Sequence, residues 1–196
     1  TNALKTQLNN LFGNWKAKQS YTRIPRNMKA IAGQKITLDT PDKASSFLLA
    51  VHPIAIKDDA EAYPALLMAN HMLGGGALRS RLADRIRQKE GLSYGVGSFL
   101  NVPSQDPVAL WAAYALSAPQ NTAKVEAALR EEVQKALSEG FTDAELIEAK
   151  KGWKQSEEVG RTQDAGLAGQ LAGYLAINRT MSYDKAFEAK VAALTV

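Results

Sequence analysis

Only two histidines occur in the chain, His52 and His71, nineteen positions apart, and there is no cysteine. Disulfides, thiolate zinc sites and cysteine nucleophiles are therefore excluded together. Neither histidine belongs to an H-x-x-E-H or H-E-x-x-H pattern, so the usual zinc ligands cannot be assembled from this chain. His52 stands in a strand-like run before Pro53 and His71 near a helix end before Met72, places that suit packed or capping histidines. Ser93 stands in a G-x-S-x-G run, Gly91 to Gly95, but that run leads into a strand rather than from a strand into a helix and has no histidine nearby, so it is not a nucleophile elbow. The run Gly74 to Gly76 follows a helical pattern rather than a strand and lacks the G-K-[ST] of a phosphate loop, so it reads as helix termination. What remains is Arg87, seven residues before Tyr94, the two separated by a helix end, Gly91 and the start of a strand. On spacing alone, Arg87 suits a helix C-terminus, where a cation complements the dipole, and Tyr94 suits a strand aromatic.

The elements that would position this pair follow from apolar periodicity. Leu4, Leu8, Leu11 and Phe12 have helical spacing and Gly13 follows as a stop, which predicts a terminal helix over 1–15. Lys16 to Gly33 has little periodicity, holds Pro25 and five lysines or arginines, and reads as a linker. Strands are expected at Gln34 to Asp39 and at Ser46 to Ile54, joined as a hairpin through the turn-rich TPDK. From Asp58 the sequence offers Asp caps, an early Glu61, a helical stripe and the three glycines, although Pro64 comes later than the first helical position prefers. A second helix is expected from about Leu78 to Glu90, ending at Gly91. Ser93 to Val102 and Pro107 to Leu116 read as a strand pair around PSQD. Helices then follow at about Asn121 to Glu139, Thr142 to Val159, Thr162 to Ile177 and Ser182 to Leu194, with Thr142 and Glu145 forming a capping box.

That order favours an α+β fold, a two-layer sandwich with an antiparallel or mixed sheet and helices packed on one face. The 45% hydrophobic content over 196 residues supports one real core. No window is long and apolar enough for a membrane span, and the first residues lack the regions of a secretory signal. The net charge is +4, but the basic residues are scattered, so no nucleic-acid footprint is expected. Trp15, Trp111 and Trp153 read as core or interface aromatics. AALTV ends without a cap or turn, and a final helix and strand of the domain are expected beyond it.

The stretch LGGGALRSRLADRIRQKEGLSYGV, Leu73 to Val96, resembles the C-terminal half-domain signature of the pitrilysin/insulinase-type zinc peptidases. The pattern L-G-G, S-R-L and I-R-x-K-x-G-L-x-Y is met by Gly74, Gly75, Ser80, Arg81, Leu82, Ile86, Arg87, Lys89, Gly91, Leu92 and Tyr94. NNLFGNW is similar to the end of a preceding half-domain, so residues 1–33 are expected to be its terminal helix plus a linker and 34–196 the C-terminal half-domain. The resemblance implies two homologous halves closing around a peptide held as an added strand. Zinc and the water-activating glutamate are then expected in an H-x-x-E-H half, on the same polypeptide or on a partner subunit. From this half, Arg87 and Tyr94 would reach the peptide: a guanidinium offers planar donors to carbonyls, and a phenol can donate to the developing oxyanion. Arg81 is expected to be structural. The resemblance leaves periplasm and cytoplasm open and leans toward the bacterial periplasm. The alternative is a noncatalytic assembly subunit similar to the core proteins of respiratory complexes, for which the Arg87 and Tyr94 pair has no chemical need.

Overall fold

A computed structural model describes residues 1–196. Its centre is a three-stranded antiparallel sheet in the order β1 (Ser46–Ile54), β3 (Ala109–Ser117), β2 (Ser93–Asn101). The register runs from Ser46↔Ser117 to Ile54↔Ala109 between β1 and β3. Because side chains alternate along each strand, one face carries Leu48, Ala50, Val96, Trp111, Ala113 and Ala115. Those residues pack on Leu73, Leu82, Ile86, Val125, Ala128 and Leu129 from the helical layer. The alanines of the middle strand keep that face flat enough for helices to approach. The other face is open: Phe47, Leu49 and Val51 are exposed, and the Phe47 ring stacks on Tyr114 at 6.3 Å.

The helical layer is built from α2 (Tyr63–Asn70), α3 (Thr122–Glu139), α4 (Asp143–Arg161), α5 (Asp164–Ala176) and α6 (Ser182–Ala193). Met68, Met72, Leu146, Ala149 and Val191 form a second apolar cluster that ties α2, α4 and α6 together. The Thr142 and Glu145 capping box is present, with each side chain bonding the other residue's backbone N–H. The fold is thus α+β with an antiparallel sheet covered by helices on one face. At the amino end α1 (Asn2–Phe12) buries none of its residues.

Two expectations are corrected. Gln34 to Asp39 is not a strand: it makes no backbone ladder, and Ile36 and Leu38 are exposed. Two apolar residues make too short a stripe to bury against anything, and β1 pairs with β3 instead. The helix from Asp58 begins only at Tyr63, with Pro64 in its first turn, while the Asp58 carboxylate binds the Arg179 guanidinium through two bonds of 2.5 and 3.0 Å. The glycine run does end the helical stretch, which stops at Gly75 with Gly76 as its cap, although its last turn is not α-helical. The chain continues through Gly74 and Gly75 as a π-helix, His71–Gly75, before a 3₁₀ turn at Ala77–Arg79.

Candidate functional site

Arg87 lies in a second π-helix, Ala83–Lys89, where a 3.6-residue periodicity predicts an ordinary α-helix. A π-helix closes i→i+5 hydrogen bonds, seen here as Glu90 N–H donating to Arg85 C=O at 3.0 Å, and such turns gather at functional sites. The helix is fixed from inside by Leu82, Ala83 and Ile86, all buried. It stops because Gly91 takes φ +60, and the next N–H, that of Leu92, donates back to Ile86 C=O at 2.9 Å. A residue with a Cβ resists that left-handed backbone, so glycine sets the angle at which the strand leaves the helix.

Two residues after Gly91 the chain enters β2, and it bulges at once. Ser93 pairs with Ser117 and Gly95 with Leu116, leaving Tyr94 as the extra residue. A bulge re-aims the side chain it carries. The Ser93 hydroxyl, buried beneath, bonds Gly95 C=O at 2.9 Å and Leu116 C=O at 2.6 Å and so pins the irregularity. Tyr94 consequently projects into solvent, 87% exposed. The Arg87 guanidinium, in no ion pair, stands 5.9 Å from the centre of its ring. Two hydrogen-bond donors that sequence places seven residues apart are therefore neighbours on one surface, with apolar Phe47 and Leu116 at the same end of the sheet.

Sequence reading missed what holds this arrangement from behind. A Cβ on Gly74 would stand 2.5 Å from Ser98 Oγ and 2.7 Å from Ser98 N, so the first π-helix rests directly on β2. The adjoining Asn70 side-chain oxygen accepts from Ser98 Oγ at 2.7 Å and Trp111 Nε1 at 3.0 Å, a buried junction of helix and two strands. Only the L-G-G of the signature hinted at that contact. Arg81, expected to be structural, binds both oxygens of Glu145 at 2.6 and 2.8 Å, donates to Gly140 C=O, and lies over the Phe141 ring at 4.5 Å. That guanidinium pulls the Glu145 carboxyl down to about 2.

The histidines part company. His52 is exposed on β1, so it is neither packed nor capping, because the sheet edge it stands on has no neighbour. His71 is half-buried between Gly76 and Gly152, where burial disfavours the charged imidazolium and lowers its pKa. It lines a groove of about 650 Å³ with Arg79, Glu145 and Glu148, but Glu145 is held by Arg81 and Glu148 by Arg79. Nowhere do three His, Cys, Asp or Glu side chains gather closely enough to hold a metal ion. These residues do not fit zinc, which needs three or four such ligands. Of the tryptophans, Trp111 and Trp153 are half-buried in the packing and Trp15 is exposed. No helix is long and apolar enough to cross a membrane.

An α+β domain with two exposed donors side by side and no metal-ligand cluster is what these observations define. Residues 1–152 match the model of the peptidase M16 inactive domain, and the chain belongs to that family, as an insulinase-type C-terminal domain. No curated protein sequence matches it. Among solved structures it is similar to the peptidase M16 inactive domain from Pseudomonas fluorescens, at 28% identity and TM-score 0.65, over 78% of this chain and 35% of that one. It also shares its fold with a protease from Helicobacter pylori, 17% identical, TM-score 0.68, over 80% of this chain and 37% of that one. The periplasmic protease PqqL from Escherichia coli is 19% identical, TM-score 0.66, over 100% of this chain and 21% of that one. This chain thus spans about a third or less of the length of those relatives.

Proposed function

We propose that this domain is the substrate-facing half of a zinc peptidase, supplying Arg87 and Tyr94 to a peptide while zinc and the catalytic base belong to an H-x-x-E-H half or subunit. The domain division proposed with it places the end of that other half and its linker at residues 1–33 and this half at 34–196. The carrying observation is the bulge that turns Tyr94 outward beside an unpaired Arg87 guanidinium. A packed aromatic and a helix-capping cation need no such exposure. Side-chain chemistry supports these roles: a guanidinium can fork onto successive peptide carbonyls, and a phenol can donate to the oxygen that gains charge when the scissile carbonyl is attacked.

Hydrolysis needs the other half. The isolated chain, freed of contaminating protease, is expected to show no chelator-sensitive cleavage of a fluorogenic peptide, and cleavage is expected on adding an H-x-x-E-H-containing partner half. Robust chelator-sensitive cleavage by the chain alone would refute the division of labour. If the saturated mixture stays inactive while the two halves associate, the reading as a noncatalytic assembly subunit takes its place.

A further inference from the structure

The 33 residues Gly13–Ser45, between α1 and β1, form no helix or strand and exchange no backbone–backbone hydrogen bond with residues 46–196. They are nevertheless attached to that body. The Arg23 guanidinium makes a bidentate bond to Asp106, at 2.7 and 2.8 Å, and Arg26 Nε reaches the same carboxylate at 3.4 Å. Asp106 lies in the β2–β3 connection and is only 4% exposed; the two arginines hold its carboxyl at about 2. A second attachment joins Lys35 to Glu126 of α3 at 2.6 Å. The first clamp sits at the end of the sheet where Ile54 meets Ala109, and the second near the end where Ser46 meets Ser117. Twelve residues separate Arg23 from Lys35, enough for about 40 Å of extended chain against about 30 Å for a nine-residue strand.

Charge explains why this segment lies down. Before Asp39 the chain has seven lysines and arginines and no carboxylate, which leaves 17 cations against 20 carboxylates in the remainder. A basic strap thus crosses an acidic body, and its three cations Arg23, Arg26 and Lys35 are those that find carboxylates. Lys16, Lys18 and Lys29 remain without ion pairs.

We propose that residues 23–35 are an electrostatically latched strap that moves with this domain, so that the joint to whatever α1 packs against is confined to Gly13–Thr22. Asp106 is the positioning residue of the latch. Opening both clamps lengthens the free tether from 10 residues to 33, which lowers the effective concentration of one half at the other by about sixfold, since it falls roughly as the −3/2 power of tether length. The strap follows from these contacts alone; its bearing on closure rests on the two-half reading above, and the test that follows involves no activity.

Limited trypsin digestion of the full chain, followed site by site by mass spectrometry, separates free from latched segments. Cleavage after Arg26 and Lys29 is expected to run roughly tenfold slower than after Lys16 and Lys18, because the strap must detach to enter the protease. Asp106→Asn and Arg23→Gln should each abolish that difference, whereas about 0.5 M NaCl should leave much of it, because a pair on a carboxylate only 4% exposed is screened far less than a surface pair. The double variant should be no worse than Asp106→Asn alone, because Asp106 is the only carboxylate that Arg23 binds. Circular dichroism of the variants confirms that β2 and β3 stay folded. Equal cleavage rates in the wild type, an unchanged pattern in Asp106→Asn, or additive effects of the two substitutions would each overturn the latch.

Discussion

Gly74 and Gly91 hold the candidate site in place for opposite reasons, one by having no room for a side chain and the other by its backbone angle. Gly74→Ala pushes a methyl into Ser98, which belongs to the strand itself and cannot swing aside. Overpacking of this kind costs about 1–3 kcal/mol, and urea unfolding should show it. At Gly91 a methyl would meet nothing within 4 Å, so Gly91→Ala costs only the left-handed backbone, about 1–2 kcal/mol. Losses in the reverse order would mean that packing of the first π-helix on β2 is not what orients the site. The Arg87 and Tyr94 pairing was legible in sequence because helix, glycine and strand follow one another within a few residues. The bulge at Tyr94 was not, because it is a property of pairing with Leu116 and Ser117, more than twenty residues away.

Helices α3 to α6 lie within about two residues of their predicted limits, since long amphipathic stripes and one capping box announce them. The π-helices were invisible: moving a hydrogen bond from i+4 to i+5 leaves the apolar spacing nearly unchanged over five or seven residues. Strand 34–39 was wrongly expected because alternation over six residues does not reveal whether a partner strand is at hand. At this scale the capping box makes two predictions. Thr142→Ala should cost about 1 kcal/mol in thermal or chemical unfolding. Glu145 contributes further through Arg81, which holds its carboxyl below the ordinary glutamate value. A depressed folded-state pKa gives stability that is complete above the unfolded value and lost as pH falls toward the folded one. Stability should therefore decline as pH drops from about 4.5 to about 2, and Glu145→Gln should flatten that decline. An unchanged slope in the variant would show that the Arg81 pair does not persist in solution.

Across the whole molecule, one face of the sheet is spent on the core and the other, with Phe47, Leu49 and Val51, faces outward beside the Arg87 and Tyr94 surface. The α+β class and the helix layer could both be read from periodicity. How the linker lies could not, because Arg23 and Asp106 are 83 residues apart and only the fold brings them together. In the reading proposed here, chemistry requires two halves, with this one acting only through donors presented to the peptide. The most direct test is steady-state peptide cleavage by this chain saturated with its H-x-x-E-H-containing partner, comparing wild type, Tyr94→Phe and Arg87→Ala. Loss of a donor to the oxyanion predicts a fall in kcat of about 100- to 1,000-fold for Tyr94→Phe, with association of the halves unchanged. Arg87→Ala should lower kcat/KM, chiefly by raising KM. Wild-type kcat and KM in both variants would contradict the proposal.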